Sequence, residues 1–228
     1  MNTVGKSRAH TFRAVPSIKI GRSKFNRSHG LKTTLNGGYL VPIYLDQTLP
    51  GDSVRISYNH LLRMTTPLVP FMDNVKASVF FFHVPKRLLW DNFESYITGA
   101  ERGKLGTTHL KYPQLVLSKA ALVNSETLFD YFGLPINQLG DGKSISVNSL
   151  PLRAYNLIYN EWFRHEDLCD LIPEHHGDDG DVVTDYVLRK RVKRGEDPFT
   201  TCLPWPQKGP DVSLGLYGSA PEEVQRQC

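Results

Sequence analysis

A mainly β architecture with a few short helices is what the patterning of this chain predicts, and three observations carry the prediction. Val54, Ile56 and Tyr58 alternate with Arg55, Ser57 and Asn59, the period of a strand with one apolar and one wet face. From Val75 the alternation returns through Ala77, Val79 and Phe81, while Phe80, Phe82 and Val84 make the opposite face apolar as well, as a strand covered on both sides requires. The helical stripes elsewhere are short and separated by Gly- and Pro-marked loops, with no internal period that would indicate a solenoid.

Ahead of the first strand pattern, residues 1–45 form an extended basic arm. It carries Lys6, Arg8, Arg13, Lys19, Arg22, Lys24, Arg27 and Lys32 with no Asp or Glu, whereas the body, residues 46–228, holds 19 basic against 23 acidic residues. Such asymmetry suits a tail that neutralises phosphate. Pro16, Gly21, Gly30, Gly37 and Gly38 interrupt any helical stripe, and Phe12, Ile18, Ile20 and Phe25 do not line one face, so an amphipathic transit helix fits poorly. A solubilising tail without a partner is the plain alternative. Cations spread along a flexible backbone release counterions from nucleic acid without reading its sequence. Phe12 and Phe25 among them either stack on unpaired bases or anchor the arm to the body.

After the second strand pattern, Pro85 lacks the amide proton a ladder needs, and Leu89, Phe93, Tyr96 and Ile97 take up helical spacing until Gly99. Ser125 is placed to cap a short helix through Thr127, Leu128, Phe129 and Phe132, closed by Gly133 and Pro135. A longer helix is expected from about Pro151 to Leu168. Its apolar stripe is Leu152, Tyr155, Ile158, Tyr159 and Trp162, with Asn148 or Ser149 available to accept from its first amides.

Places where enzyme chemistry could sit are few. HHGDDGD at His175–Asp181, with Glu174 before it, has residue types that bind a divalent ion, but neither calcium-loop nor zinc-helix spacing, and reads as a solvated acidic loop. Gly140, Gly142 and Lys143 lack the first glycine of a phosphate loop and read as a turn. No GxSxG elbow is present, and Cys169, Cys202 and Cys228 form an odd, widely spaced set that makes neither a disulfide framework nor a metal knuckle and suits a reducing compartment. No catalytic residue, cofactor, metal or membrane span is expected; uninterrupted apolar runs such as Val79–Phe82 are four residues long. The second basic run, Arg189, Lys190, Arg191, Lys193 and Arg194, meets either the genome or a neighbouring chain, or is absorbed by local ion pairs with the acids around it. Trp205 lies between Pro204 and Pro206, a backbone with few conformations to lose, and with Pro206 and Gln207 forms a candidate subunit contact; plugging its own core is the other reading.

Four segments, SVRISYNHLLRM, FFHVPKRLLWDNFESYITG, LPLRAYNLIYNEWFRHEDL and FTTCLPWPQKGP, stand in an order that resembles the N-terminal part of the major capsid protein of the Microviridae, small single-stranded DNA bacteriophages, and of their gokushovirus branch in particular. That resemblance implies a viral jelly roll, an eight-stranded antiparallel barrel with helical insertions. It also implies many copies closing an icosahedral shell around a single-stranded DNA genome, with the basic arm on the DNA and other phage structural proteins as further partners. The expected setting is the virion, after assembly in the bacterial cytoplasm. Capsid proteins of this kind are considerably longer, so the chain is expected to hold an incomplete barrel, the front of such a subunit. The competing reading is a free-standing, basic-armed nucleic-acid-binding protein that forms no shell.

Overall fold

The computed structural model describes residues 21–99 and 110–191 together with Phe199 and Cys202. The chain divides into two units, Met1–Thr33 and Thr34–Cys228. In the first, residues 21–33 are exposed and form neither helix nor strand. All ordered elements among the described residues belong to the second.

Two strands pair there: β1, Gln114–Ser118, runs antiparallel to β2, Ser144–Asn148, in the register Gln114↔Asn148, Val116↔Ser146 and Ser118↔Ser144. Leu115 and Leu117 point inward while Val116 stays exposed, so the period-two rule holds over a run too short to stand out in the sequence. A two-stranded ribbon alone is marginal in water. This one is covered by Leu122, by Leu128 and Phe129 of a short helix α2, Leu128–Tyr131, and by Leu152 and Tyr186.

The segment with that Leu152 is α3, Leu150–Ile158, which continues into a π-helical turn, Tyr159–Phe163, closed by the bond from Arg164 N to Tyr159 O at 2.8 Å. It is the spine of the unit. Leu152 enters the cluster on β1, Leu150 packs with Leu89 and Trp90, and Tyr159 and Phe163 pack with Ile172, Leu40 and Phe82. Asn148 Oδ1 accepts from Leu150 N at 3.0 Å, the capping role expected of Asn148 or Ser149. The helix stops short of Leu168 because Arg164 turns extended, and Trp162, placed on the inner stripe by its spacing, is 67% exposed while Phe163 is buried.

The other two helices are shorter than expected. α1, Phe93–Thr98, begins after Leu89 and ends at Gly99, whose φ of +87° only glycine takes without strain. α2 is capped by Thr127, whose hydroxyl accepts from Asp130 N at 3.4 Å, rather than by Ser125, and Gly133 follows it at φ +78°.

The largest correction concerns the two alternating segments. Neither 54–59 nor 75–84 lies in a strand, and every residue from 47 to 81 is exposed, including Leu68, Met72 and Phe71. The segment read as covered on both sides stays exposed through Phe81, and two of its rings, Phe80 and Phe82, meet Phe163 with ring centroids 5.3 and 5.9 Å apart. Alternation states which face is to be covered. It does not supply the neighbouring backbone on which a ladder depends, and no such neighbour is present among the described residues.

Candidate functional site

The acidic loop is where the structure departs furthest from a solvated surface. Asp178 accepts from Trp90 Nε1 at 2.5 Å and from Asn92 Nδ2 at 3.1 Å, and Asp91 N donates to His176 O at 3.0 Å, so the loop is stitched to the segment ahead of α1. Asp181 lies deeper. Its carboxylate receives Arg153 Nε at 3.0 Å and Nη2 at 2.7 Å, while Arg153 Nη1 donates to Leu89 O at 3.0 Å, and both side chains are almost wholly enclosed. The Tyr186 hydroxyl closes the group on Asp181. Burial alone would push the Asp181 carboxyl up; the hydrogen bonds from Arg153 and Tyr186 and the guanidinium charge outweigh it and hold the group below its ordinary value. Burial, reinforced by the bond to Asp181, pushes the Tyr186 phenol up, so it remains a donor.

Polar groups of α3 and of the π-helical turn that follows it extend this network. Asn160 Nδ2 donates to Ile172 O at 3.0 Å and to Glu174 at 2.7 Å, and its Oδ1 accepts from Ile172 N at 3.2 Å; Asn156 Nδ2 reaches Asp185 O at 3.3 Å. Tyr155 Oη donates to Leu40 O at 2.9 Å and accepts from Arg189 N at 3.0 Å, and burial, opposed by Arg189, pushes its phenol up to about 12. Arg153, Asn156 and Asn160 were missed as site residues because polar types read as the wet face. Their spacing places them beside Leu152 and Tyr159 on the buried one, and that spacing is the signal that finds them.

The histidines singled out as metal-capable are engaged elsewhere: His175 Nε2 lies 2.9 Å from Asp185 and His176 Nε2 3.6 Å from Glu174. Among the described residues no three His, Cys, Asp or Glu side chains converge as an ion site would need, and no helix is long and apolar enough to cross a membrane. The Gly140–Lys143 segment is a turn, with Lys143 N bonded to Gly140 O at 3.2 Å and Gly142 at φ +71°.

In the second basic run, the described cations lie over aromatic faces. Lys190 Nζ sits 5.2 Å from the Tyr39 ring, Arg191 lies 5.4 Å from Phe80 and 6.0 Å from Phe163, and Arg189 lies 6.0 Å from Tyr159 while donating to Asp185 O at 3.1 Å. Together with the backbone bonds Leu40 N to Arg189 O and Arg191 N to Gly38 O, both 2.9 Å, these contacts pin residues 38–40 to 189–191. Lys193 and Arg194 lie outside the described residues.

Of the arm's cations, Arg22, Lys24, Arg27 and Lys32 lie in the first unit and are exposed. Lys6, Arg8, Arg13 and Lys19, and the candidate contact Trp205, Pro206 and Gln207, lie outside the described residues. What the geometry presents is thus a body locked by buried polar side chains, beside a long apolar ribbon left uncovered.

The contacts among the described residues are those of a packed scaffold: an enclosed ion pair, hydrogen bonds and ring faces. The family of the chain is shown by comparison. The model of the phage capsid protein (F protein) family matches residues 13–227, and the chain belongs to that family. It is 40% identical to the capsid protein VP1 of Bdellovibrio phage phiMH2K over 93% of this chain and 38% of the relative, and 41% identical to the capsid protein VP1 of Chlamydia phage 1 over 91% and 37%. With the capsid protein VP1 of Spiroplasma virus 4 the identity is 31%, over 94% of this chain and 40% of the relative. The chain therefore spans well under half the length of these relatives, and the resemblance to microvirus capsid proteins is borne out.

Proposed function

We propose that this chain is part of a structural major capsid protein that assembles with copies of itself into a small icosahedral shell around a single-stranded DNA genome. The observation that carries the reading is the ribbon at residues 47–81, exposed throughout and rich in large apolar side chains, within a chain of a capsid family. Apolar surface on that scale marks an interaction face. In the whole subunit the alternating segments 54–59 and 75–84 become two strands of a jelly-roll barrel, gaining from its further strands the ladders they lack here. The eight cations from Lys6 to Lys32 face the DNA, other phage structural proteins share the particle, and assembly takes place in the bacterial cytoplasm before the chain enters the virion.

Expression from the complete gene, followed by electron microscopy and nuclease protection, tests the reading. Particles of uniform size that shield single-stranded DNA are expected. Soluble protein that binds DNA with strong salt dependence and forms no particle would instead establish the free-standing nucleic-acid-binding protein. If all eight cations of the arm meet phosphate, the logarithm of affinity falls against the logarithm of salt with a slope of roughly −5 to −6.

A further inference from the structure

We propose that Phe25 is a stacking platform for unpaired nucleobases and gives the arm a preference for single-stranded over duplex DNA; the proposal rests on the reading of the arm as DNA-facing. The Phe25 ring is 82% exposed. Arg22 and Lys24 precede it within three positions, roughly 3 to 10 Å along an extended backbone, and no acid occurs in residues 1–45. Immediately after the ring the backbone is braced: Asn26 Oδ1 accepts from Ser28 N at 3.0 Å and from Ser28 Oγ at 2.6 Å, and His29 Nδ1 lies 3.0 Å from Arg27 O. An aromatic exposed to water beside cations thus stands immediately ahead of a short hydrogen-bonded stretch, residues 26–29.

Ligand chemistry follows from what would satisfy all of these groups together. A purely apolar protein pocket could take the ring only by drawing the neighbouring guanidinium and ammonium groups out of water, which is costly without partners. A polynucleotide strand supplies a π face for the ring and phosphates for its neighbours in one ligand. In a duplex the base faces are already stacked on each other, so the platform has nothing to receive. Phosphate contacts bind both forms, and the ring adds affinity for the open one alone.

The test compares Phe25→Ala, Phe25→Leu and Phe25→Tyr in the full 228-residue chain, titrated with an oligothymidine and with a duplex of the same length across a salt series. Unfolding midpoints are measured alongside to confirm an unchanged body. For the single strand, Ala and Leu weaken binding roughly 5- to 150-fold, the equivalent of about 1–3 kcal/mol, while Tyr retains it. Duplex affinity changes less than about twofold, and the salt slope is the same in every variant. Parent-like single-strand affinity in Phe25→Ala, or recovery by Leu, with the salt slope intact, overturns the platform and leaves the DNA-facing arm standing. A parent chain without salt dependence overturns the arm reading and the platform with it.

Discussion

Residues 86–92 and 149–186 on one side and residues 47–81 on the other are both rich in large apolar side chains, yet the first set buries Leu89, Trp90, Leu150, Leu152, Phe163 and Tyr186 while every residue of the second is exposed. The difference lies in what each finds within the chain. Trp90 has Leu150 and Leu89 to pack against and Asp178 to receive its indole N–H, whereas Ile56 and Tyr58 have no facing strand among the described residues. Burial on the locked side is also paired with polar closure: the enclosed Arg153–Asp181 ion pair is completed by the Leu89 carbonyl on Arg153 Nη1 and by the Tyr186 hydroxyl on Asp181. The buried contacts of the free chain therefore lie in the locked region, while the ribbon's apolar surface stands exposed.

The sharpest way to break this contrast is to orphan the buried carboxylate. Arg153→Met should destabilise the chain by about 3–5 kcal/mol in urea unfolding, and adding Asp181→Leu should recover most of that loss. A single variant with parent-like stability would show that the pair is not enclosed in solution. Next in size, Leu117→Ala, at a fully buried position on β1, should cost about 2–5 kcal/mol, whereas Leu68→Ala in the ribbon should stay within about 0.5 kcal/mol in the free chain. Equal costs at the two sites would erase the distinction.

A pH series sharpens the account of Asp181. Its folded carboxyl titrates below the ordinary 3.8, so the stability it contributes is fully present above that value and is lost as pH falls through the lowered folded one. The stability difference between the parent and Asp181→Asn should accordingly be constant from neutral pH down to about 4 and shrink below it. A difference that first shrinks near pH 6 would point to another group. The smallest effect expected is at the α2 cap: Thr127→Ala should cost about 0.5 kcal/mol, the low end for a cap, because its bond to Asp130 N is long. Ser125→Ala should cost less.

How far the sequence could reveal this is visible in the same residues. Gly99 and Gly133 as helix ends, Asn148 as a cap and the α3 stripe near Leu152 and Tyr159 were legible because they depend on neighbours a few positions away. Strand pairing was not. The long alternations at 54–58 and 75–81 advertise a face without a partner, while β1 and β2, five residues each, find each other across residues 119–143. The acidic loop was misread for a related reason: its composition is that of a wet surface, and only the fold brings Trp90, Asn92, Arg153 and Tyr186 to its carboxylates. Family membership, by contrast, was carried by four ordered motifs and needed no pairing at all.

Hydrogen exchange followed by mass spectrometry, on the free chain and on assembled particles, reads the central claim directly. In the free chain, amides from 53 to 84 should exchange at nearly unprotected rates while those of α3 and β1 are slow; in particles, the 53–84 amides should slow by roughly two orders of magnitude or more as their ladders form. A ribbon that stays unprotected in the particle would contradict the assignment of these segments as strands of the subunit's barrel.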